Sequence, residues 1–202
     1  MKKLKVAVTG GIGSGKSALC SLFEEKGYPV ISSDLIAKEI MQNNPEVKKK
    51  IIKNFGKESY INDKLNKEYL AKKIFPDQEK ISLINSIVHP ATLKEIESVC
   101  LKEFKKSSIV FVESALVYEA KIHKHFDYVI LVASADEDKI TRTVKRDSAG
   151  ADAVKERLDN QIPDEKKKLR ADFVINNDST PEKLTERGKL ILKIIESISK
   201  GE

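Results

Sequence analysis

The run Leu4-Lys5-Val6-Ala7-Val8-Thr9 passes straight into Gly10-Gly11-Ile12-Gly13-Ser14-Gly15-Lys16-Ser17, an apolar strand followed by a glycine-rich loop. Gly10 and Gly15 bracket four residues before Lys16 and Ser17, the spacing that wraps backbone N–H groups around phosphate oxygens. Ala18 to Glu25 continues as a helix, so its N-terminal dipole adds to the same positive potential. A turn alone would explain the glycines, but it gives no reason for Lys16 and Ser17 at the loop's end. Gly11, Ile12, Gly13, Ser14, Gly15, Lys16 and Ser17 are therefore the candidate nucleotide-binding residues. Lys16 can follow a moving phosphoryl group, and the Ser17 hydroxyl can coordinate Mg²⁺ bridging the same oxygens.

Four further short apolar runs, Tyr28 to Ser32, Ser108 to Val112, Tyr128 to Val132 and Phe173 to Asn176, alternate with amphipathic helical stretches. That alternation implies an α/β chain with a parallel, doubly wound five-stranded sheet flanked by helices, and ligands gathered at the C-terminal ends of the strands. Residues 35–106 are too many for one crossover, and their Lys-rich periodicity predicts an inserted helical lobe on the acceptor side. Residues 136–168 form a second insertion, with two helices separated at Ser148-Ala149-Gly150 in the manner of a hinged lid. Residues 1–202 thus read as a single kinase-like domain of core, lobe and lid. Thr180 or Ser179 caps the last helix, with Pro181 in its first turn.

A hydrophobic fraction of 40% can fill such a core, and two cysteines, Cys20 and Cys100, are too few for a disulfide framework. With no apolar leader or long apolar run, a cytoplasmic protein without a membrane partner is expected. The net charge of +6 suits a polyanionic ligand, but 6% aromatic residues without Trp give little basis for stacking single-stranded nucleic acid, and no nucleic-acid partner is expected. The runs Lys48-Lys49-Lys50, Lys105-Lys106 and Lys166-Lys167-Lys168 read as solvated helix faces. Arginine is confined to Arg142, Arg146, Arg157, Arg170 and Arg187, so the guanidinium forks gather in the late part of the chain.

Arg142 and Arg146 stand one helical turn apart and can close together on phosphates. Asp34, just past the second strand, can orient an attacking hydroxyl or simply cap the helix that follows. Glu113, at the end of the third strand, can hold Mg²⁺ through a water. His89-Pro90 falls between helical patterns, where a lone His is more often a packing residue than an acid. A nucleotide switch fits poorly: Asn66-Lys67-Glu68-Tyr69 lacks the final acid of a guanine-reading motif, and Asp147-Ser148-Ala149-Gly150 follows a charged helix. These residues by themselves leave open a kinase of small molecules, including nucleosides and nucleotides, or, less favoured, a switch or ATPase.

Taken together, these segments resemble the dephospho-coenzyme A kinase family. Beside the phosphate loop, Val30-Ile31-Ser32-Ser33-Asp34-Leu35-Ile36-Ala37-Lys38 is similar to its V-I-D-A-D-x-I-A-R segment, and Ile87-Val88-His89-Pro90 to its H-P element. Ala115-Leu116-Val117-Tyr118-Glu119 resembles P-L-L-F-E, Arg142 to Asp147 resembles R-x-x-x-R-D, and Ala171 to Asn177 resembles A-D-x-V-I-x-N. The resemblance implies ATP- and Mg²⁺-dependent phosphorylation of the ribose 3′-hydroxyl of dephospho-CoA, the final step of coenzyme A synthesis; the sequence leaves the oligomeric state open, with a monomer favoured. It implies Asp34 beside the acceptor hydroxyl, with Lys16, Arg142 and Arg146 as its catalytic partners. It further implies His89, Leu116, Tyr118 and Glu119 on the acceptor side, Asn177 near the adenine, and Arg157 and Gln161 in the lid. Ser32, Ala115, Lys139 and Ser179 depart from the family pattern, where an acid, a proline, a glutamine and a glycine are usual.

Overall fold

The computed structural model describes residues 1–74, 76–147 and 150–202. In chain order the elements are β1 (Leu4–Thr9), α1 (Lys16–Glu25), β2 (Val30–Ser32), α2 (Ser33–Asn43), α3 (Pro45–Phe55), β3 (Tyr60–Ile61), β4 (Lys64–Leu65), α4 (Lys67–Ile74) and α5 (Gln78–Glu103). They continue as β5 (Ile109–Glu113), β6 (Tyr128–Ala133), α6 (Asp136–Asp147), α7 (Ala151–Asp159), α8 (Asp164–Lys168), β7 (Phe173–Asn176) and α9 (Pro181–Lys200). Two compact units divide the chain, one of residues 1–32 and 100–202 and the other of residues 33–99.

In the first unit, five parallel strands lie in the order β2-β5-β1-β6-β7. The strands are runs of Val, Ile and Phe because a parallel sheet is covered on both faces and each residue must be apolar. Val6, Val8, Ile109, Phe111, Ile130 and Val132 enter the main core, while Ala7, Val110, Val112 and Leu131, pointing the opposite way, are equally buried. The chain runs from central β1 to one side and later returns to the other, so the order reverses at β1. That reversal opens a crevice at the C-terminal strand ends, where the glycine loop leaves β1.

α1 and α9 cover one face of the sheet. Phe23 of α1 stacks on Phe111 with ring centroids 4.1 Å apart, and Tyr28 meets Phe111 edge-on at 6.0 Å. Gly188 lets α9 approach α1: a Cβ there would lie 2.5 Å from Leu19 Cδ1 and 2.8 Å from Leu22 Cδ2. Thr180 is the N-cap of α9, Pro181 occupies its first turn, and Gly201 ends it at φ 83°.

In the second unit, α3 starts at Asn44, whose Oδ1 accepts from the amides of Glu46 and Val47, with Pro45 in the first turn. The two-residue strands β3 and β4 form an antiparallel hairpin through Asn62 and Asp63, both with positive φ. Gln42 of α2 braces that hairpin, donating to the Asp63 carbonyl at 2.9 Å and accepting from the Leu65 amide at 3.0 Å. The hairpin is too short to show a period of two, and the sequence pattern predicts no strand leading into Asn66. α5 differs from expectation as well, since it runs as one helix through His89 and Pro90 rather than stopping there. Proline removes one helical donor, but the helix has a long flank on either side to hold its course. The expected hinge residues Ser148 and Ala149 lie outside the described residues, and 136–168 holds three helices rather than two. Among the described residues, no helix is long and apolar enough to cross a membrane.

Gly188→Val forces a branched side chain into the contact of α9 with α1. A loss of about 1–3 kcal/mol is expected from overpacking, read as a lower midpoint in urea unfolding.

Candidate active site

The phosphate loop is held by its neighbours at backbone distance. Gly13 has φ 74°, and a Cβ on it would fall 2.3 Å from the Lys139 carbonyl oxygen of α6. Gly15 has φ 102°, and a Cβ there would lie 2.4 Å from Asn177 Nδ2, which donates to the Ser14 carbonyl at 2.8 Å. Only glycine satisfies both the backbone angle and the lack of space. The amides of Gly13 and Gly15 meet no acceptor among the described residues, as expected of donors that precede a helix and face a ligand. Lys16 Nζ donates at 3.0 Å to the carbonyls of both Gly10 and Gly11, which keeps the ammonium curled over the loop.

Ser17 Oγ donates to Glu113 Oε1 at 2.8 Å. Glu113 lies in register with Val8 on one side and Ser32 on the other, so the two hard oxygens sit at the rim of the sheet beside β1. Thr9 Oγ1 and Ser14 Oγ, flanking the loop, are buried without a hydrogen-bond partner among the described residues. Cys20 is close in sequence but inert, its thiol pushed far up by burial and by Glu113.

The lid residues of this unit already have protein partners. Arg142 donates to Ser134 Oγ at 3.0 Å and to the Asn177 carbonyl at 3.1 Å, tying the end of β6 to the loop after β7. Arg146 instead forms a fork on Asp147, at 2.6 and 2.9 Å, and that carboxylate raises its pKa. Arg157 is exposed, and Gln161 Oε1 accepts from the Ile12 amide at 3.2 Å. Gly11, Asp136, Lys139, Gln161 and Asp164 line part of a cavity of about 190 Å³.

Of the residues expected on the acceptor side, Leu116 is half-buried in the turn after β5, and Tyr118 is fully buried under the Arg170 guanidinium, 4.5 Å from its ring. Burial pushes the Tyr118 phenol up to about 12, with the Asp172 carboxylate adding to the shift, so it stays protonated. Glu119 Oε1 accepts from the Ile162 amide at 2.9 Å and pairs with Lys167 Nζ at 2.8 Å. Lys167 is 0% exposed, which corrects the reading of Lys166-Lys167-Lys168 as a purely solvated face. A five-residue helix turns its middle lysine inward, and Glu119 neutralises it there. The sequence marks Lys139 only as a departure from the family pattern and gives no sign of its pairing with Asp164, a residue 25 positions later.

In the second unit, Asp34 is exposed and stands second in α2 rather than at its cap. Among the described residues its carboxylate makes no hydrogen bond. His89 is half-buried within α5, and burial lowers its pKa. The segment from Asn66 opens α4, with Asn66 Oδ1 accepting from the Tyr69 amide at 3.2 Å, so it serves as a helix start.

The Dephospho-CoA kinase family model matches residues 4–183. The chain belongs to the dephospho-CoA kinase family. A relative from Salinibacter ruber, named Dephospho-CoA kinase, is 37% identical over 177 residues, covering 87% of this chain and 89% of that one. A dephospho-CoA kinase structure from Campylobacter jejuni shares 28% identity and superposes with a TM-score of 0.69, covering 98% of both chains. A crystal structure from Thermus thermophilus gives a TM-score of 0.82 at 27% identity, covering 96% of this chain and 98% of that one. Family membership accounts for the loop, the sheet order and the lid arginines together.

Two histidines predict a pH dependence of stability. His89 is lowered by burial, and His123 by burial and the neighbouring Arg170 and Lys124 charges. Each folded-state pKa lies below the unfolded value, so the unfolded chain binds more protons. Their stabilising contribution is present above roughly pH 6.5 and is lost as pH falls through the folded pKa values. Replacing both with Gln is expected to flatten the fall in urea midpoint between about pH 6.5 and pH 5, above the carboxylate range.

Proposed function

We propose that the chain transfers the γ-phosphoryl group of ATP to the ribose 3′-hydroxyl of dephospho-CoA, giving coenzyme A and ADP. The observation that carries the reading is the phosphate cradle of Gly13, Gly15 and Lys16 with the Ser17–Glu113 pair at its mouth. The loop amides and the α1 dipole meet the donor's phosphates, and Lys16 exchanges its loop carbonyls for phosphate oxygens as charge develops on them. The Ser17 hydroxyl and, through a water, Glu113 suit Mg²⁺, because both offer hard oxygen donors and the cation takes most of its remaining ligands from phosphate and water. Bound there, Mg²⁺ would neutralise charge on the bridging phosphate oxygens.

Asp34 orients the acceptor hydroxyl and takes its proton late, as the O–P bond forms. Its exposed carboxylate, committed to no protein donor among the described residues, supports that role over capping. Arg142 and Arg146 leave Asn177, Ser134 and Asp147 to hold the transferring group, and the lid shuts out water that would otherwise receive it. His89, Leu116, Tyr118 and Glu119 shape the acceptor side, Tyr118 and Glu119 from buried positions that fix the wall. Asn177, tied to Ser14, holds the loop that faces the adenine. A cytoplasmic monomer of phosphate-binding core, acceptor lobe (35–106) and lid (136–168) completes the reading.

Assay with ATP, Mg²⁺ and a panel of dephospho-CoA, adenosine and AMP tests it directly. Preference for dephospho-CoA is expected; preference for adenosine or AMP would return the chain to the nucleoside and nucleotide kinases. Asp34→Asn is expected to lower kcat by about 10²–10⁴ with ATP affinity unchanged, measured by steady-state kinetics and calorimetry. Full activity in that variant would remove Asp34 from the mechanism. Arg142→Lys keeps the charge but loses the fork, and a fall in kcat of at least about tenfold is expected in the same assay.

A further inference from the structure

Lys139 reaches the phosphate loop from α6. It is 3% exposed, and its Nζ lies 2.5 Å from Asp164 Oδ2 and 3.0 Å from Asp136 Oδ1. Its side chain also fills the space beside Gly11, where a Cβ would be 3.2 Å from Lys139 Cε and Nζ. Gly11 has no positive φ to require glycine, so the tight approach there comes from this lysine side chain alone. Asp164 is itself almost buried and also accepts from the Ser134 amide at 3.2 Å. Two carboxylates thus stand at the edge of a loop that must attract a polyanion, and one ammonium lies between them and Gly11.

We infer that Lys139 is a positioning residue for the donor triphosphate, acting by cancelling the charge of the buried Asp164 beside Gly11, with the solvated Asp136 as its second partner, so that the loop keeps its positive potential. The inference rests on the reading of the loop as an ATP site. Without Lys139 the local charge of the trio changes from −1 to −2, and the second negative charge sits where water cannot screen it well. The same change leaves Asp164 almost buried with the Ser134 amide as its remaining donor among the described residues, in the cavity that Gly11 also lines. Gln161, held to the Ile12 amide, lies in the short connection from α7 that leads directly into Asp164, the first residue of α8. Displacing Asp164 therefore disturbs the lid's grip on Ile12 as well.

The test compares Lys139→Met, Asp164→Asn and the double variant in the full chain. ATP affinity is read by calorimetry, and KM for ATP and for dephospho-CoA separately, at low and high salt. Lys139→Met is expected to weaken ATP binding about tenfold at low salt, with the acceptor KM unchanged and the difference shrinking as salt rises. The double variant, which removes the excess carboxylate charge, is expected to recover to within about threefold of the native chain. A purely packing role predicts no such rescue and no salt dependence, and that result overturns the inference. Should Lys139→Met fail to fold by thermal melting, Asp164→Asn alone decides: tighter ATP binding supports the inference, and unchanged or weaker binding overturns it. Failure of the native chain to bind ATP would instead overturn the proposed function, and the inference with it.

Discussion

Backbone packed on backbone at the phosphate loop is the constraint on which the rest depends. Gly13 lies against the α6 carbonyl of Lys139 and Gly15 against Asn177, so the loop is pressed between the start of the lid and the end of β7. A cradle for phosphate needs its amides converging without side chains in the way, and an unsupported glycine segment would be free to leave that shape. Here the neighbours supply the rigidity that glycine lacks. The Ser14 carbonyl is held by Asn177, and the Ile12 amide by Gln161. Loop shape and lid position are consequently one structural variable.

That coupling explains why the lid arginines have protein partners in this state. Arg142 bridges Ser134 and Asn177, the residue that fixes Ser14, so its guanidinium fastens the same edge of the loop that its proposed ligand would occupy. A polyphosphate must outbid a carbonyl and a hydroxyl for Arg142 and a carboxylate for Arg146. Arg142 holds two neutral acceptors and lies 3.9 Å from the Asp138 carboxylate, whereas Arg146 is committed to the Asp147 fork. The two arginines are therefore held differently, although their spacing by one turn makes them look alike.

The core was legible in the sequence because each signal was local. All five strands of the parallel sheet are short runs rich in β-branched residues, and their order of occurrence with helices leaves few topologies. Phosphate-loop residues were equally legible, since their spacing carries the chemistry. What escaped notice depended on distant contacts or on weak periodicity. β3 and β4 have two residues each, and their turn uses Asn62 and Asp63 instead of glycine. The long α5 hid behind Pro90, where a proline usually ends a helix. Lys167 looked like any member of a lysine run, and only Glu119, far away in sequence, makes its burial possible.

Lys139 shows the same limit in the active-site region. Its departure from the family pattern was visible, but the reason lay in Asp164, a residue of another helix. A buried carboxylate near a polyanion site is unfavourable unless something cancels it, and a buried lysine is unfavourable unless something pairs with it. Asp164 without Lys139 would harm the site; together they make a neutral contact that also fills the space beside Gly11. The pair therefore has to be read as a unit. Charge balance around a phosphate loop is set by which carboxylates the lid folds against it, and net charge along the chain carries no record of that arrangement.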